Sequence, residues 1–167
     1  RFDIVLLING LPVAIGELKT PVRNAISWLD GAQDISDYEK SVPEMFVPNV
    51  FSFASEGKCY RYGSINMPLT KWGPWHTPDH KVEGSLADVK ISVADMITPE
   101  KVMDIMQFFT VFSTDKKHRK IKVICRYQQY EAANLIIDRV KAGYPKQGLI
   151  WHFQGSGKSL LMVFAAQ

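Results

Sequence analysis

Cysteine is scarce in this sequence, and its scarcity excludes two classes of small protein. The 167 residues contain only Cys59 and Cys125, which lie far apart in the chain. They form neither a disulfide framework nor the paired spacing of a cysteine zinc site. The composition therefore favours a reducing compartment, and we expect a cytoplasmic protein.

Long apolar runs are absent as well, and neither sign of charge dominates. No run approaches the roughly 20 apolar residues that a helix needs to cross a bilayer, so we expect no membrane partner. The 20 basic and 17 acidic residues leave a net charge of +3, which permits contact with phosphate but is far from that of a basic tail that coats DNA. The 46% of hydrophobic residues is ample for a buried core, so the chain is expected to be globular.

Both ends of the sequence are abrupt. Arg1 leads straight into a strand pattern, and Gln167 ends an apolar helix pattern. Natural domains seldom begin and end in this way. We therefore take it as a hypothesis that the sequence is a fragment of a longer polypeptide.

The first part of the chain has the patterns of a hairpin followed by a helix. Two runs rich in Val, Ile and Leu, residues 3–8 and 12–19, flank Asn9-Gly10, which is a common hairpin signal. From residue 22 to about residue 41, apolar residues recur at helical spacing. Further along, the sequence predicts strands at 47–54 and 58–63, a packed aromatic loop at 68–79 with Trp72 and Trp75, and a helix from Thr98 to about Phe112.

A charged connector at residues 114–120 separates these elements from a second pattern. Strands that alternate with helices beyond it are typical of a parallel-sheet domain. We place the domain boundary in the connector, so that residues 1–115 form one domain and residues 116–167 the beginning of another. The elements predicted in the second domain are a strand at 121–125, a helix at 129–141 with Gly143 past its end, a strand at 148–153 and a final helix.

The second domain contains a candidate phosphate loop. Residues 154–159, Gln-Gly-Ser-Gly-Lys-Ser, lie between a predicted strand and the last helix, in the order that such a loop requires. Glycines let backbone amides converge on phosphate oxygens, the lysine adds a positive charge, and the last serine supplies a hydroxyl to magnesium. A plain Gly-Ser turn is the alternative, but it needs no Lys-Ser at the helix start. The expected ATP-binding residues of the loop are Gly155, Ser156, Gly157, Lys158 and Ser159.

This loop resembles that of superfamily 2 helicases and translocases. The generic loop begins with a glycine six residues before its lysine, where this chain has His152, and that superfamily tolerates the departure. The superfamily also carries an upstream element that reads adenine, and residues 126–129 are similar to it. The resemblance implies that Gln129 hydrogen-bonds the adenine edge and that Arg126 lies near its face; an ordinary polar helix start is the alternative. No later motor motif follows, so the chain alone is not expected to hydrolyse ATP.

The first hairpin carries two acids and a lysine, Asp3, Glu17 and Lys19. Glu17 and Lys19 share a strand face because side chains alternate with a period of two. Asp3 reaches that face only with an odd number of loop residues or a bulge, so we predict a three-residue or bulged turn around Asn9-Gly10. Two carboxylates, aided by the Leu18 carbonyl, then hold Mg²⁺, and Lys19 lies beside the attacking water. Such a group suits phosphodiester hydrolysis, although charged residues at the ends of an apolar strand are commonplace.

Taken together, these motifs resemble the restriction (motor) subunit of type I restriction-modification enzymes. The resemblance covers essentially the whole chain, and the stretches that carry it are residues 1–5, 9–12, 17–19, 38, 43–46, 61–64 and 150–159. In that family, a PD-(D/E)xK nuclease domain is followed by RecA-like lobes that move double-stranded DNA with ATP. The implied fold is α/β, a nuclease-like mixed sheet flanked by helices and then the beginning of a RecA-like P-loop domain. The implied partners are double-stranded DNA and the methyltransferase and specificity subunits of the restriction complex.

Carried over residue by residue, the resemblance makes Asp3 and Glu17 the magnesium ligands and Lys19 the catalytic lysine. Phe2 stands where the motif has its proline, and that proline performs no chemistry. The implied activity is magnesium-dependent cleavage of double-stranded DNA, coupled to translocation driven by ATP.

Many of these nucleases also carry a Gln-x-x-x-Tyr element on the following helix, which steadies DNA near the site. Tyr38 matches its tyrosine, but Asp34 occupies the glutamine position and Gln33 lies one residue early. A structural role for Tyr38 is therefore equally open.

Two other functions stay open at this stage. One is a scaffold that binds nucleotide and DNA with a degenerate nuclease centre, and the other is a P-loop phosphotransferase that acts on a small molecule. The four histidines have no metal-ligand spacing, so no metal site is expected from them.

Overall fold

The computed structural model describes residues 1–23, 25–114 and 118–167, which form two compact units, Arg1–Ile124 and Cys125–Gln167. The predicted domain boundary between residues 115 and 116 falls outside the described residues, and the first unit extends to Ile124. Among the helices of the described residues, none is both long enough and apolar enough to cross a bilayer.

A four-stranded mixed sheet forms the centre of the first unit. Its strands are β1 (Ile4–Ile8), β2 (Leu11–Leu18), β3 (Phe51–Ser55) and β4 (Tyr60–Gly63), in that order across the sheet. β2 and β3 run parallel, whereas the other two neighbouring pairs are antiparallel. A parallel pair needs a crossover connection, and helix α1 (Trp28–Ser41) lies within it. The predicted mixed α/β architecture is confirmed for this unit.

The hairpin of β1 and β2 contains a bulge, but not in the turn around Asn9-Gly10 where the sequence predicts it. Asn9 and Gly10 both have positive φ, 50° and 81°, and form a tight two-residue turn between Ile8 and Leu11. The register then shifts, because Leu6 lies opposite Ala14 while Leu7 lies opposite Pro12, so one residue of β2 is left over. The extra residue therefore lies in the strand rather than in the turn.

Helix α1 begins six residues later than the sequence pattern indicates. Ser27 caps it by accepting a hydrogen bond from the Leu29 N–H at 3.2 Å, and the Asp30 carboxylate accepts one from the Ser27 N–H at 2.7 Å. This reciprocal capping box starts the helix at Trp28. The predicted start at residue 22 is wrong because the cap outweighs the apolar spacing before it, while the predicted end at Ser41 is confirmed.

The core of the first unit lies between α1 and the sheet. The side chains that share it are fully or almost fully buried: Ile15, Ala32, Ile35, Phe46, Ala54 and Trp72. Trp75 is also buried, and its indole N–H donates to Asp95 Oδ2 at 2.7 Å. The prediction that the loop at 68–79 packs through its tryptophans is thus confirmed.

The remainder of the first unit contains two helices and a two-stranded sheet. Their bounds are α2 (Leu86–Met96), α3 (Pro99–Phe108), β5 (Thr110–Thr114) and β6 (Lys120–Ile124). The Thr98 cap predicted for α3 is confirmed. The expected end near Phe112 is wrong, since β5 begins at Thr110 and pairs with β6 in antiparallel fashion. β6 itself was expected, but as a parallel strand of the second domain.

The second unit consists of helices α4 (Tyr127–Ala142) and α5 (Lys158–Ala166) with the connection between them. Gly143 ends α4 in the left-handed conformation at φ 72°, as its position predicts. The strand predicted at 148–153 is wrong, because a strand needs a neighbour for its ladder and the described part of this unit contains no strand. Leu149 and Trp151 are accordingly 85% and 87% exposed.

Candidate functional site

The hairpin brings the two acids and the lysine of the sequence pattern to one place. After the register shift, the position of Asp3 falls opposite Glu17 instead of opposite Gly16, so the two side chains share a face. The Asp3 N–H donates to Glu17 Oε1 at 3.4 Å, and the Leu18 N–H donates to Asp3 Oδ2 at 3.0 Å. Lys19 Nζ lies 3.8 Å from Glu17 Oε2. Asp3 therefore lies beside Glu17 and Lys19, although it is distant from both in sequence.

Burial and neighbouring charges both shift the pKa values of this group. Glu17 is only 3% exposed, and its pKa is raised above the ordinary glutamate value, first because burial disfavours the charged form and then because the Asp3 carboxylate is close. The pKa of Lys19 is raised as well, mainly by its hydrogen bond to Asp34. The site thus pairs two acids, of which one resists ionisation, with a firmly protonated amine.

The donor set fits magnesium better than the softer transition metals. Mg²⁺ is commonly held through one or two carboxylates and keeps several waters, and Asp3 and Glu17 supply two carboxylates. A cation between them would offset the repulsion that raises the pKa of Glu17. In the described ranges, no group of three or more His, Cys, Asp or Glu side chains is arranged to hold a metal. Leu18 lies next to Glu17 at the end of β2, and ligation by its carbonyl stays a prediction.

Helix α1 adds two of the three predicted DNA-positioning residues to the site. Lys19 Nζ donates a hydrogen bond to Asp34 Oδ2. The Tyr38 hydroxyl donates to the Arg1 carbonyl at 3.2 Å, and its ring meets the Phe2 ring edge-on at 4.8 Å between centroids. Gln33 is not brought to the site, because it lies on the exposed face of the helix and its amide donates to Asp37.

The sequence pattern did not reveal the contact between Asp34 and Lys19, although Gly31 was a signal for it. A Cβ at Gly31 would lie 3.3 Å from the Glu17 Cβ, the Glu17 carbonyl oxygen and the Ala54 Cβ. The missing side chain lets α1 approach β2 at the position of Glu17. Asp34 follows Gly31 by one helical turn and so reaches over Lys19.

The candidate phosphate loop has the backbone that its glycines predict. Gly155 and Gly157 adopt φ values of 80° and 83°, and α5 begins at Lys158 directly after them. Lys158 Nζ donates to the carbonyls of His152 and Phe153, each at 2.8 Å. Glycine is the residue that takes these conformations without strain, so the loop and helix of the motif are present even though its strand is not.

Gln129 contacts this loop directly. Its side-chain amide donates to the Gly157 carbonyl at 2.9 Å and to the Ser156 carbonyl at 3.3 Å, while its Oε1 accepts from the Arg126 N–H at 2.8 Å. Gln129 and Ser156 are buried, whereas Arg126 and Ser159 are exposed. Adenine contacts by Gln129 and Arg126 stay predictions.

Comparison with known proteins finds similarity along the whole chain. Residues 1–70 match the family described as type I restriction enzyme R protein N terminus, and residues 128–167 match the SWI2/SNF2 ATPase family. The type I restriction enzyme HindI endonuclease subunit of Haemophilus influenzae is 31% identical over 173 residues, which cover 98% of this chain and 16% of that protein. The putative type I restriction enzyme MjaVIIP endonuclease subunit of Methanocaldococcus jannaschii is 33% identical over 182 residues, with coverages of 99% and 16%.

These similarities define a class of protein, the endonuclease subunits of restriction enzymes. Within that class, the chain belongs to the type I restriction enzyme R protein family, and its first 70 residues correspond to the N-terminal region of that family. The chain spans 16% of the length of these two relatives.

Proposed function

We propose that this chain supplies the magnesium-dependent nuclease site, and the first ATP-binding motif, of an enzyme that cuts double-stranded DNA and moves along it with ATP. The nuclease site is of the PD-(D/E)xK type, with Asp3, Glu17 and Lys19 as its catalytic residues. The enzyme works as a complex with methyltransferase and specificity subunits. Membership of the type I restriction enzyme R protein family supports each part of this proposal.

The observation that carries the proposal is the meeting of Asp3, Glu17 and Lys19 at the end of one hairpin. Two neighbouring carboxylates repel each other, so burial of one beside the other brings no benefit in a purely structural role. In a phosphodiesterase the same arrangement is useful, because the two carboxylates hold a cation against the negatively charged phosphate.

The residues divide this work by their chemistry. Asp3 and Glu17 hold the metal, which when bound supplies positive charge to the phosphate and acidifies a water. Lys19 remains protonated beside Glu17, so it donates hydrogen bonds, orienting the water or stabilising the charge that develops on the phosphate. Tyr38 follows Asp34 by one turn of α1, so it lies on the same side of the helix and is a candidate for steadying DNA.

The second unit provides the nucleotide motif. Two glycines in the left-handed region and a helix that starts at Lys158 suit a triphosphate, because free backbone N–H groups and the helix dipole both favour an anion. Ser159 then offers its hydroxyl to magnesium, while Arg126 and Gln129 serve the adenine. The match of residues 128–167 to an ATPase family supports this assignment.

Replacement of Lys19 by alanine tests the nuclease site. In the complete polypeptide, assembled with its partner subunits, we expect Lys19→Ala to lower the rate of DNA cleavage by at least about 100-fold, the usual contribution of a donor that stabilises developing charge. ATP hydrolysis stimulated by DNA should be unchanged, because Lys19 lies in the first unit whereas the phosphate loop lies in the second. Gel assays of cleavage and a phosphate-release assay measure the two activities.

The matched control is Lys40→Ala, since the Lys40 side chain is 70% exposed and pairs only with its helix neighbour Asp37 among the described contacts. It should cleave like the wild type. Normal cleavage by Lys19→Ala would show that this hairpin is a degenerate centre and that the nuclease lies elsewhere.

A further inference from the structure

We infer that Asp34 is a positioning residue of the nuclease site, whose carboxylate holds the Lys19 ammonium beside Glu17. The inference rests on the proposed nuclease function and adds a residue to it. By the resemblance, Asp34 stands at the glutamine position of the Gln-x-x-x-Tyr element, and in this structure its carboxylate contacts Lys19.

The Lys19 ammonium is held from two sides. Its Nζ donates a hydrogen bond to Asp34 Oδ2 and lies 3.8 Å from Glu17 Oε2. A lysine side chain has four rotatable bonds and is therefore poorly fixed unless its end is bound. The Lys19 side chain is 23% exposed, and contact with solvent does not fix its position. Asp34 is thus the contact that selects one position of the amine.

The helix that carries Asp34 is itself firmly placed. The Ser27–Asp30 capping box fixes its start, and Ala32 and Ile35 are completely buried against the sheet. Gly31 brings the helix to within van der Waals distance of Glu17. The carboxylate of Asp34 is therefore presented to Lys19 by the same packing that forms the core.

The chemistry of a carboxylate argues against a direct contact of Asp34 with DNA. A glutamine amide donates hydrogen bonds to phosphate oxygens, whereas an ionised carboxylate is an acceptor only and repels phosphate. The hydrogen bond to Lys19 uses the acceptor that aspartate has. An aspartate at this position is thus suited to hold the lysine rather than to bind the DNA backbone.

Two substitutions of Asp34 in the complete, assembled enzyme test this role. We expect Asp34→Ala to lower the single-turnover cleavage rate at saturating DNA by about tenfold, which corresponds to roughly 1.4 kcal/mol of barrier. The affinity for DNA and the affinity for Mn²⁺, measured by titration without turnover, should both stay within about twofold. Asp34→Asn keeps one acceptor oxygen in the same place, so it should recover a large part of the rate.

Asp37→Ala is the matched control, because Asp37 is an aspartate on the same helix whose partners are Gln33 and Lys40. It should leave the cleavage rate unchanged. An unaltered rate in Asp34→Ala, a loss confined to DNA affinity, or a loss that Asp34→Asn does not relieve would each overturn the inference. The proposed function fails separately, since it fails only if Lys19→Ala still cuts DNA.

Discussion

At the scale of single residues, the site is shaped by the burial of Glu17. The side chain is almost completely buried in β2, yet the proposed role as a metal ligand requires a negative charge next to Asp3. Burial and repulsion both raise its pKa, so the folded chain binds a proton there more tightly than the unfolded chain does. Stability from this residue is therefore present at low pH and declines as the pH rises from the unfolded value through the raised folded value.

The substitution Glu17→Gln tests this pH dependence of stability. Without metal, the substitution should protect β1 and β2 against hydrogen exchange at neutral pH, and the difference from the wild type should vanish near pH 4. Cleavage and Mn²⁺ binding should be lost, because an amide is a poor substitute for a carboxylate ligand. Hydrogen-exchange mass spectrometry at both pH values, in the presence of a chelator, measures the effect on stability.

Glu44→Gln serves as the comparison, since Glu44 is exposed in a short helical turn. It should change neither exchange nor cleavage. If Glu17→Gln destabilised the hairpin at neutral pH, the carboxylate would be stabilising, and the cost of its burial argued above would be wrong.

At the scale of elements, the contact between α1 and β2 decides whether the site assembles. Gly31 is a point of close approach, and a side chain there would press on the backbone and side chain of Glu17 and on Ala54. The bulge in β2 is the second such feature, because it turns Asp3 to the face of Glu17. The missing side chain of Gly31 and the bulge in β2 thus bring β1, β2 and α1 into the arrangement on which the site depends.

Gly31→Val tests the importance of this approach. Valine forms helices more readily than glycine, so any loss must come from crowding, which typically costs about 1–3 kcal/mol in a packed interior. We expect faster hydrogen exchange in α1 and a cleavage rate lowered at least as much as in Asp34→Ala, because displacement of the helix moves Asp34 away from Lys19.

Lys40→Val places the same side chain on the exposed part of the same helix. Exchange in the middle of α1 should then stay normal. Equal behaviour of the two valine variants would mean that the close contact at Gly31 does not hold the site together.

At the scale of the whole molecule, the two candidate sites belong to separate compact units. Asp3, Glu17 and Lys19 lie in Arg1–Ile124, and the phosphate loop lies in Cys125–Gln167. Each site is built from contacts within its own unit, so we expect a substitution that inactivates one site to leave the other intact.

Lys158→Ala is the corresponding prediction. In the complete polypeptide, loss of this charge should abolish measurable ATP hydrolysis, because the lysine is expected to reach the β and γ phosphates. Mn²⁺ binding at Asp3 and Glu17, measured by calorimetry, should be unchanged. Lys146→Ala provides a control, as an exposed lysine in the connection between α4 and α5. Reduced Mn²⁺ affinity in Lys158→Ala would show that the two sites depend on each other.

Much of this organisation follows from short-range patterns. Alternation and the Asn9-Gly10 signal predict the hairpin, glycines and lysine predict the loop before α5, and the parity of Asp3 and Glu17 predicts a bulge. The hairpin turn and the loop are decided by neighbours a few residues apart, so the sequence by itself determines them. The bulge follows instead from the requirement that Asp3 and Glu17 share one face of the hairpin.

Contacts between distant residues were decided only by the tertiary structure. Three features depend on which partner lies nearby in space. These are the pairing of β5 with β6, the lack of strand pairing at residues 148–153, and the hydrogen bond between Asp34 and Lys19. A strand pattern states that a segment can pair, but not with what, and a helix pattern does not state how closely the helix approaches a sheet. The sequence thus determined the chemical groups of the site, and the packing of α1 on β2 decided how they meet, because that distance is set by the absent side chain of Gly31.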